Sequence, residues 1–203
     1  HRGVALSLGR VTQDGCIECP FHGWAFRGDG ACAHVPLNPD AKLSLLSATA
    51  LPTREVGGYI WVYTAPVAEA PCEPNLSDVM TDDRFYRAHL VVDWKAHWTR
   101  AMENMLDSPH LPYVHKRTIG RDLRRRMRRD SKLQMSWTDT PSGGEVTWSL
   151  DGQPGEGRLQ FLRPNAMVLH IPIPGRRIQM QVHCVPLSAN ETRMMVCTGR
   201  DFG

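Results

Sequence analysis

Short apolar runs broken by glycine fill the first 63 residues of the chain. Gly15, Gly23, Gly28, Gly30 and the pair Gly57-Gly58 punctuate them, a pattern that predicts short strands joined by tight turns. Tyr59-Ile60-Trp61-Val62-Tyr63 is rich in aromatic and β-branched residues and predicts a closing strand. Pro66, Pro71 and Pro74 then break up a stretch without periodicity, which reads as a linker. Beyond it the period changes. Trp98, Met102, Met105 and Leu106 recur at i, i+4, i+7 and i+8, one apolar face of a helix. Pro109 should end that helix, with Ser108 capping a second one that begins at Pro109. From about Leu133 the pattern returns to strands, with turns at Pro141–Gly144, Asp151–Gly157 and Pro172–Gly175. Met167, Leu169, Ile171, Ile173, Met180 and Val182 alternate in that region. They face a core or line a cavity, and core packing is the simpler reading. No internal repeat is present. The expected organisation is a β domain over 1–63, a linker over 64–74 and a second domain over 75–203.

Composition narrows the classes. The 203 residues are 41% hydrophobic and 22% charged, an ordinary globular balance. A net charge of +3 does not suggest a nucleic-acid binder. No apolar run approaches the roughly 20 residues of a membrane helix, and the start, at His1 rather than Met, lacks a signal-peptide pattern. Arg121, Arg124, Arg125, Arg126, Arg128 and Arg129 form the one dense charge run. It reads as a solvated face, or else as a docking patch for an acidic electron donor. Six cysteines (Cys16, Cys19, Cys32, Cys72, Cys184, Cys197) are spaced too irregularly for a disulfide framework. Reduced thiols are expected, on the compartment argument for a cytoplasmic redox protein that the motif chemistry below implies.

Two constellations carry chemistry. The first is Cys19-Pro20-Phe21-His22-Gly23-Trp24, with His1-Arg2-Gly3 upstream. Cys-x-x-His alone also suits zinc, and Cys16 with Cys19 mimics a zinc Cys-x-x-Cys. Cys16 reads as a bystander, and Cys32 and His34 as structural residues. The second constellation is Asn104, Asp107, His110 and His115. Two histidines and a carboxylate on one face of a metal bind non-haem Fe(II) and leave positions open for O₂ and substrate. Five residues apart on a straight helix, His110 and His115 would point about 140° apart. Pro109 and Pro112 let the backbone depart from that helix.

Taken in this order, the two runs resemble the Rieske-type non-haem iron oxygenases. The first resembles their cluster loops, Cys-x-His followed by Arg-Gly and then Cys-x-x-His. The second resembles their Asn-x-x-Asp-x-x-His-x₄-His motif. The resemblance implies that His1, Cys19 and His22 ligate a [2Fe–2S] cluster, whose imidazoles raise its potential. It implies that His110 and His115 bind mononuclear Fe(II), with Asp107 as an electron bridge and Asn104 as a supporting residue. A fourth cluster ligand, a Cys two positions before His1, is not in this chain. The family's downstream carboxylate ligand is not recognised either, since Glu191 and Asp201 lie in no familiar context. Both ends of the family pattern are thus expected to lie outside the chain, and the isolated fragment is expected to be inactive.

The implied fold is α+β: a small antiparallel β domain, then a catalytic antiparallel sheet flanked by helices, helix-grip-like. The implied reaction draws NAD(P)H electrons through a reductase or ferredoxin to the cluster and then the iron. There O₂ would hydroxylate, dihydroxylate or demethylate a small, aromatic organic substrate. The second run is more like that of the single-subunit demethylases and monooxygenases. The implied assembly is a head-to-tail homotrimer, with Asp107 reaching His22 or His1 of a neighbour. The rival readings are a non-catalytic Rieske electron carrier and a zinc-stabilised interaction protein. A carrier would need neither the second motif nor the long segment after residue 74.

Overall fold

The computed structural model describes residues 1, 3–155, 157–173 and 175–203, without the side chains of Pro172 and Ile173. Arg2 of the first motif, Pro174 of the last expected turn and the Ile173 side chain lie outside the described residues. The chain divides into two compact units, one of His1–Glu55 and Tyr59–Glu73, the other of Val56–Gly58 and Pro74–Gly203.

In the first unit the glycine-punctuated runs become very short strands. Four of them, β1 (Arg10–Val11), β2 (Ile17–Glu18), β3 (Ala25–Phe26) and β4 (Cys32–His34), form an antiparallel sheet in chain order. Strands β5 (Thr53–Val56) and β6 (Tyr59–Val62) pair as a hairpin, which places the expected closing strand one residue short of Tyr63. Cys19, Phe26, Cys32 and Val35 form a small buried core, with Val4, Leu6 and Trp24 packed against it.

The second unit opens with α1 (Asp78–Thr81) and β7 (Tyr86–Trp94), followed by α2 (Trp98–Leu106), α3 (Leu111–Val114) and α4 (Arg121–Arg126). Then come β8 (Leu133–Thr140), β9 (Gly143–Leu150), β10 (Gln153–Pro154), β11 (Arg158–Leu162), β12 (Ala166–Ile173), β13 (Arg176–Ser188) and β14 (Glu191–Arg200). The sheet runs β10-β9-β11-β12-β13-β14-β7, with β8 also on β9. Every pairing is antiparallel.

The helix expected from Trp98, Met102, Met105 and Leu106 is α2, and its apolar face lies on this sheet. Ala101 and Met102 are buried against Val146, Leu159, Met167, Val182, Cys184 and Met194, with Trp98, Met105 and Leu106 around them. Burying side chains of this size contributes roughly 1.5–3 kcal/mol each, so the contact fixes α2 on the sheet. Core packing therefore accounts for Met167 and Val182, with Leu169 and Met180 partly buried against the same cluster. One element escapes the sequence reading. Strand β7 was not separated from the helical segment after the linker, although Leu90-Val91-Val92 is β-prone. It pairs on one side only, with β14, and Leu90 and Val91 remain exposed.

The opposite face of β13 is polar. Gln179, Gln181 and His183 alternate with Met180, Val182 and Cys184, and all three are buried. Gln181 accepts from the Ser77 N–H (2.8 Å) and hydroxyl (2.7 Å) and donates to the Asn75 carbonyl (2.9 Å). Gln179 accepts from the Val79 N–H at 3.0 Å. These amides satisfy backbone groups of residues 75–79 that have no strand partner, the role buried polar groups must have. His183 Nε2 lies 3.0 Å from the Gln181 amide nitrogen, which makes that ring nitrogen the acceptor.

Burial pushes His183 down to about 4. The unfolded chain, with an ordinary value near 6.5, binds the proton first as pH falls. Stability from neutral His183 is therefore full above about pH 6.5 and is lost between 6.5 and 4, by on the order of 3 kcal/mol. Denaturant midpoints measured across that range should fall with pH, and His183→Gln should flatten the slope. An unchanged slope in the variant would assign the pH dependence to another group.

All six thiols are free, and only that of Cys72 is exposed. Among the described residues no helix is long and apolar enough to cross a membrane.

Candidate metal centres

The first candidate centre is built on the turn from β2 into β3. Cys19 follows β2, and its N–H donates to the Trp24 carbonyl at 2.8 Å. The Gly23 N–H returns to the Cys19 carbonyl at 2.9 Å. Gly23 closes this turn at φ +71°, a conformation costly for residues with a Cβ. A Cβ there would also lie 3.0 Å from Pro36 Cγ. The turn buries Cys19 completely and leaves His22 exposed, its ring 3.9 Å from that of Phe21.

His1 meets the same turn. Its ring stacks on Trp24 at 4.6 Å and lies 5.4 Å from Phe26. His1 Nδ1 is buried without a hydrogen-bond partner. A buried polar atom left so costs about 1–3 kcal/mol, and ligation to a metal removes that cost. The donor set fits a Rieske cluster, with soft thiolate for one iron and imidazole for the other. Among the described residues no three His, Cys, Asp or Glu side chains converge on one point. A two-iron cluster does not need them to, because each iron takes two protein ligands.

The second candidate centre lies between α2 and α3. Ser108 precedes Pro109, and a residue before proline is disfavoured in the helical region. Helix α2 accordingly ends at Leu106, with Asp107 extended (φ −85°, ψ 105°). The expected second helix does form, but it starts at Leu111 with His110 as its N-cap, not at Pro109 under a Ser108 cap. The reason is local: the Leu111 N–H bonds to the Ser108 carbonyl at 3.1 Å, so 108–111 forms a turn first. Pro112 then sits in the first helical turn, where no N–H is needed.

His110 and His115 thus flank a single helical turn, and their rings lie 5.3 Å apart at 63°. Two imidazoles on one ion, with metal–nitrogen distances of about 2.1 Å, have ring centres about 5 Å apart, so the pair fits a shared metal. His110 Nδ1 is buried without a hydrogen bond, and Asp107 Oδ2 lies 3.5 Å from it. That distance is long for a hydrogen bond, so the contact is electrostatic; it leaves Nε2 to face a metal. Asn104 is exposed on the last turn of α2, and its carbonyl accepts from the Asp107 N–H at 3.4 Å.

Neither C-terminal acid joins this pair. Glu191 is exposed at the β13–β14 turn. Asp201 is engaged by Arg177, whose Nε lies 2.8 Å from Oδ2 and whose N–H lies 2.7 Å from Oδ1. Those bonds hold the Asp201 carboxyl below its ordinary range. Arg177 also reaches Asp78 and Asp82 and lies over the Phe85 ring. Asp201→Asn should therefore lower the melting temperature at neutral pH and leave iron content unchanged, as read by calorimetry and metal analysis. Loss of iron in that variant would make Asp201 a ligand after all.

Comparison with known proteins identifies the two domains. The Rieske [2Fe-2S] domain family matches residues 1–52, and the vanillate O-demethylase oxygenase C-terminal domain family matches residues 94–203. Chlorophyllide a oxygenase of Arabidopsis thaliana is 29% identical over all of this chain and 37% of its own length. Aminopyrrolnitrin oxygenase PrnD of Pseudomonas fluorescens is 35% identical over 59% of this chain and 35% of its own. The chain spans no more than 41% of the length of the chlorophyllide and pheophorbide oxygenases it matches. Dicamba monooxygenase bound to dicamba superposes with a TM-score of 0.78 at 18% identity, over 98% of this chain and 63% of that one. Pseudomonas putida CBB5 NdmA (QL mutant, with theobromine) gives 0.75 at 20%, over 97% and 57%. These structures share the α+β fold of a small antiparallel domain followed by a larger antiparallel sheet. Two matched domains, one for a [2Fe–2S] cluster and one from a catalytic oxygenase, place the chain in the Rieske non-haem iron oxygenase family.

Proposed function

We infer that this chain supplies both metal centres of the oxygenase component of a Rieske oxygenase. Residues 1–63 would carry the cluster, 64–74 the linker and 75–203 the mononuclear iron. His1, Cys19 and His22 would hold the cluster, and His110 and His115 the iron. When bound, the two groups supply single electrons and O₂ activation for hydroxylation or oxidative demethylation. The observation that carries the reading is the His110–His115 pair with Asp107 behind His110 Nδ1. A Rieske electron carrier would have no use for it, nor for the oxygenase C-terminal domain matched at 94–203.

Each residue has a task. Asp107 holds the His110 ring, keeping one nitrogen turned from the metal and raising the basicity of the other. Asn104 supports the turn that presents Asp107. Trp24 and Phe26 wall His1 from water, while exposed His22 offers an edge to a partner. The aminopyrrolnitrin and dicamba in two of the similar proteins' names support a small aromatic substrate. NAD(P)H would deliver electrons through a reductase or ferredoxin. A head-to-tail homotrimer in the cytoplasm completes the proposal.

The test uses the full-length protein loaded with iron and sulfide. A Rieske EPR signal, iron beyond two per cluster, and substrate-dependent NAD(P)H consumption with a reductase are the expected results. A cluster signal without the extra iron would instead establish a carrier. Zinc with neither signal would establish an interaction protein.

A further inference from the structure

Charge in this chain is segregated. Residues 116–132 hold nine Lys and Arg against Asp122 and Asp130, a local +7 in a chain whose total is +3, so the remaining residues together carry −4. All nine basic residues are exposed, and α4 buries only Leu123. Little neutralises them. Asp122 lies 3.8 Å from Arg126. Asp151 attracts Arg128, but its oxygens are already held by the Lys132 N–H at 2.7 Å and the Ser131 hydroxyl at 2.8 Å. A surface serving only solubility intersperses both signs. This one nearly lacks acids.

Apolar groups share the same surface. Tyr113 is 61% exposed, Val114 70% and Ile119 39%. Arg124 lies over the Tyr113 ring at 5.8 Å, so the ring and the arginines are neighbours. Helices α3 and α4 are tied together at Gly120. Its N–H donates to the His115 carbonyl at 3.0 Å, and it packs so closely on the Leu111 carbonyl that a Cβ there has no room. The two short helices therefore present one ledge, with apolar side chains beside basic ones.

We propose that this ledge attaches the protein to the surface of an anionic lipid bilayer. A partner that meets both features is itself both anionic and apolar. An acidic protein or a nucleic acid would be served by the arginines alone. A bilayer supplies both: the guanidinium forks pair with headgroup phosphates, while Tyr113, Val114 and Ile119 enter the boundary above the acyl chains. Tyrosine suits that boundary, with an apolar body and a polar tip. The attachment is peripheral, since no described helix is long and apolar enough to cross. Each Lys or Arg near an anionic surface multiplies binding roughly fivefold. The attraction fades as salt shortens the Debye length, from about 30 Å in dilute buffer to about 8 Å at physiological ionic strength. The inference rests on neither metal centre, so its failure leaves the oxygenase reading untouched.

The test is co-sedimentation of the loaded full-length protein with vesicles, at low and high salt. One set is phosphatidylcholine alone, and the other is phosphatidylcholine and phosphatidylserine in equal parts. The mixed vesicles should bind at least about tenfold tighter at low salt and lose most of that advantage at high salt. The triple variant Arg124→Gln, Arg125→Gln, Arg128→Gln should weaken binding to them on the order of 100-fold, the product of three such factors. The double variant Tyr113→Ser, Val114→Ser should also weaken vesicle binding, and should leave binding of polyglutamate, a soluble polyanion, unchanged. All five substituted residues are exposed, so the fold should survive both variants. Equal binding to the two vesicle types, a preference that survives the triple variant, or no vesicle binding overturns the proposal. Mixed-vesicle binding that ignores the double variant and is matched by polyglutamate or RNA overturns it in favour of an acidic macromolecule.

Discussion

Replacing His110 with alanine is expected to abolish mononuclear iron binding and turnover while leaving the cluster's spectrum intact. The two ligand sets lie in different compact units, and no residue is common to both. His110 and His115 are set in metal-sharing geometry, so removing His110 leaves His115 without its neighbour. Metal affinity depends steeply on ligand count, because binding and local order are coupled. The loss should exceed the roughly 10–100-fold that follows removal of a supporting partner, and activity should fall below detection. His22→Ala is the mirror experiment, losing the cluster signal while the iron site still loads. Iron analysis of His110→Ala showing an unchanged mononuclear content would remove His110 from the ligand set. Circular dichroism guards against a trivial outcome. His110 is a partly exposed N-cap that makes no side-chain capping bond, so alanine there should leave α3 in place.

The sequence made some of this visible and concealed the rest, for physical reasons. Helix α2 was legible because its apolar stripe is buried against one surface, so Trp98, Met102, Met105 and Leu106 carry a 3.6 period. The candidate metal residues stood out through the resemblance of two whole motifs in the family's order, since Cys-x-x-His alone also suits zinc and a His pair alone also suits a core. What spacing could not supply was convergence. On a straight helix His110 and His115 diverge, and only a turn at 108–111 followed by one turn of helix brings the rings to 5.3 Å. The start of α3 was misplaced for that reason, because Pro109 signals a helix start as readily as a turn. Strand β7 was hidden because it lies at a sheet edge with both faces partly wet, so no clean alternation marks it. Nothing in the residue types of Gln179, Gln181 and His183 marks a buried face. They are buried because residues 75–79 bring unpaired backbone groups against them.

Asp107→Asn is expected to leave both metal centres loaded and to slow substrate-coupled oxidation of the pre-reduced cluster by orders of magnitude. Asparagine keeps the shape and removes the charge. The carboxylate of Asp107 is half exposed, with Oδ2 3.5 Å from His110 Nδ1. It is therefore tied to the iron ligand on one side and open on the other. In the proposed head-to-tail ring, where one subunit's cluster faces the next subunit's iron, the open side would meet His22 or His1 of a neighbour. A carboxylate between two imidazoles accepts a hydrogen bond from each, and an amide can accept from only one side at a time. The alternative is that Asp107 merely caps a helix. Its position argues against that. It ends α2, where the helix dipole disfavours a negative charge. The N-terminus of α3 is capped by His110, with no side-chain bond. A purely structural Asp107 would show its loss as a lower melting temperature with normal electron transfer. A bridging Asp107 would show the reverse. Stopped-flow oxidation of the reduced cluster, beside iron content and thermal melting of the same preparation, separates the two. Wild-type rates in the asparagine variant would end the case for a bridge.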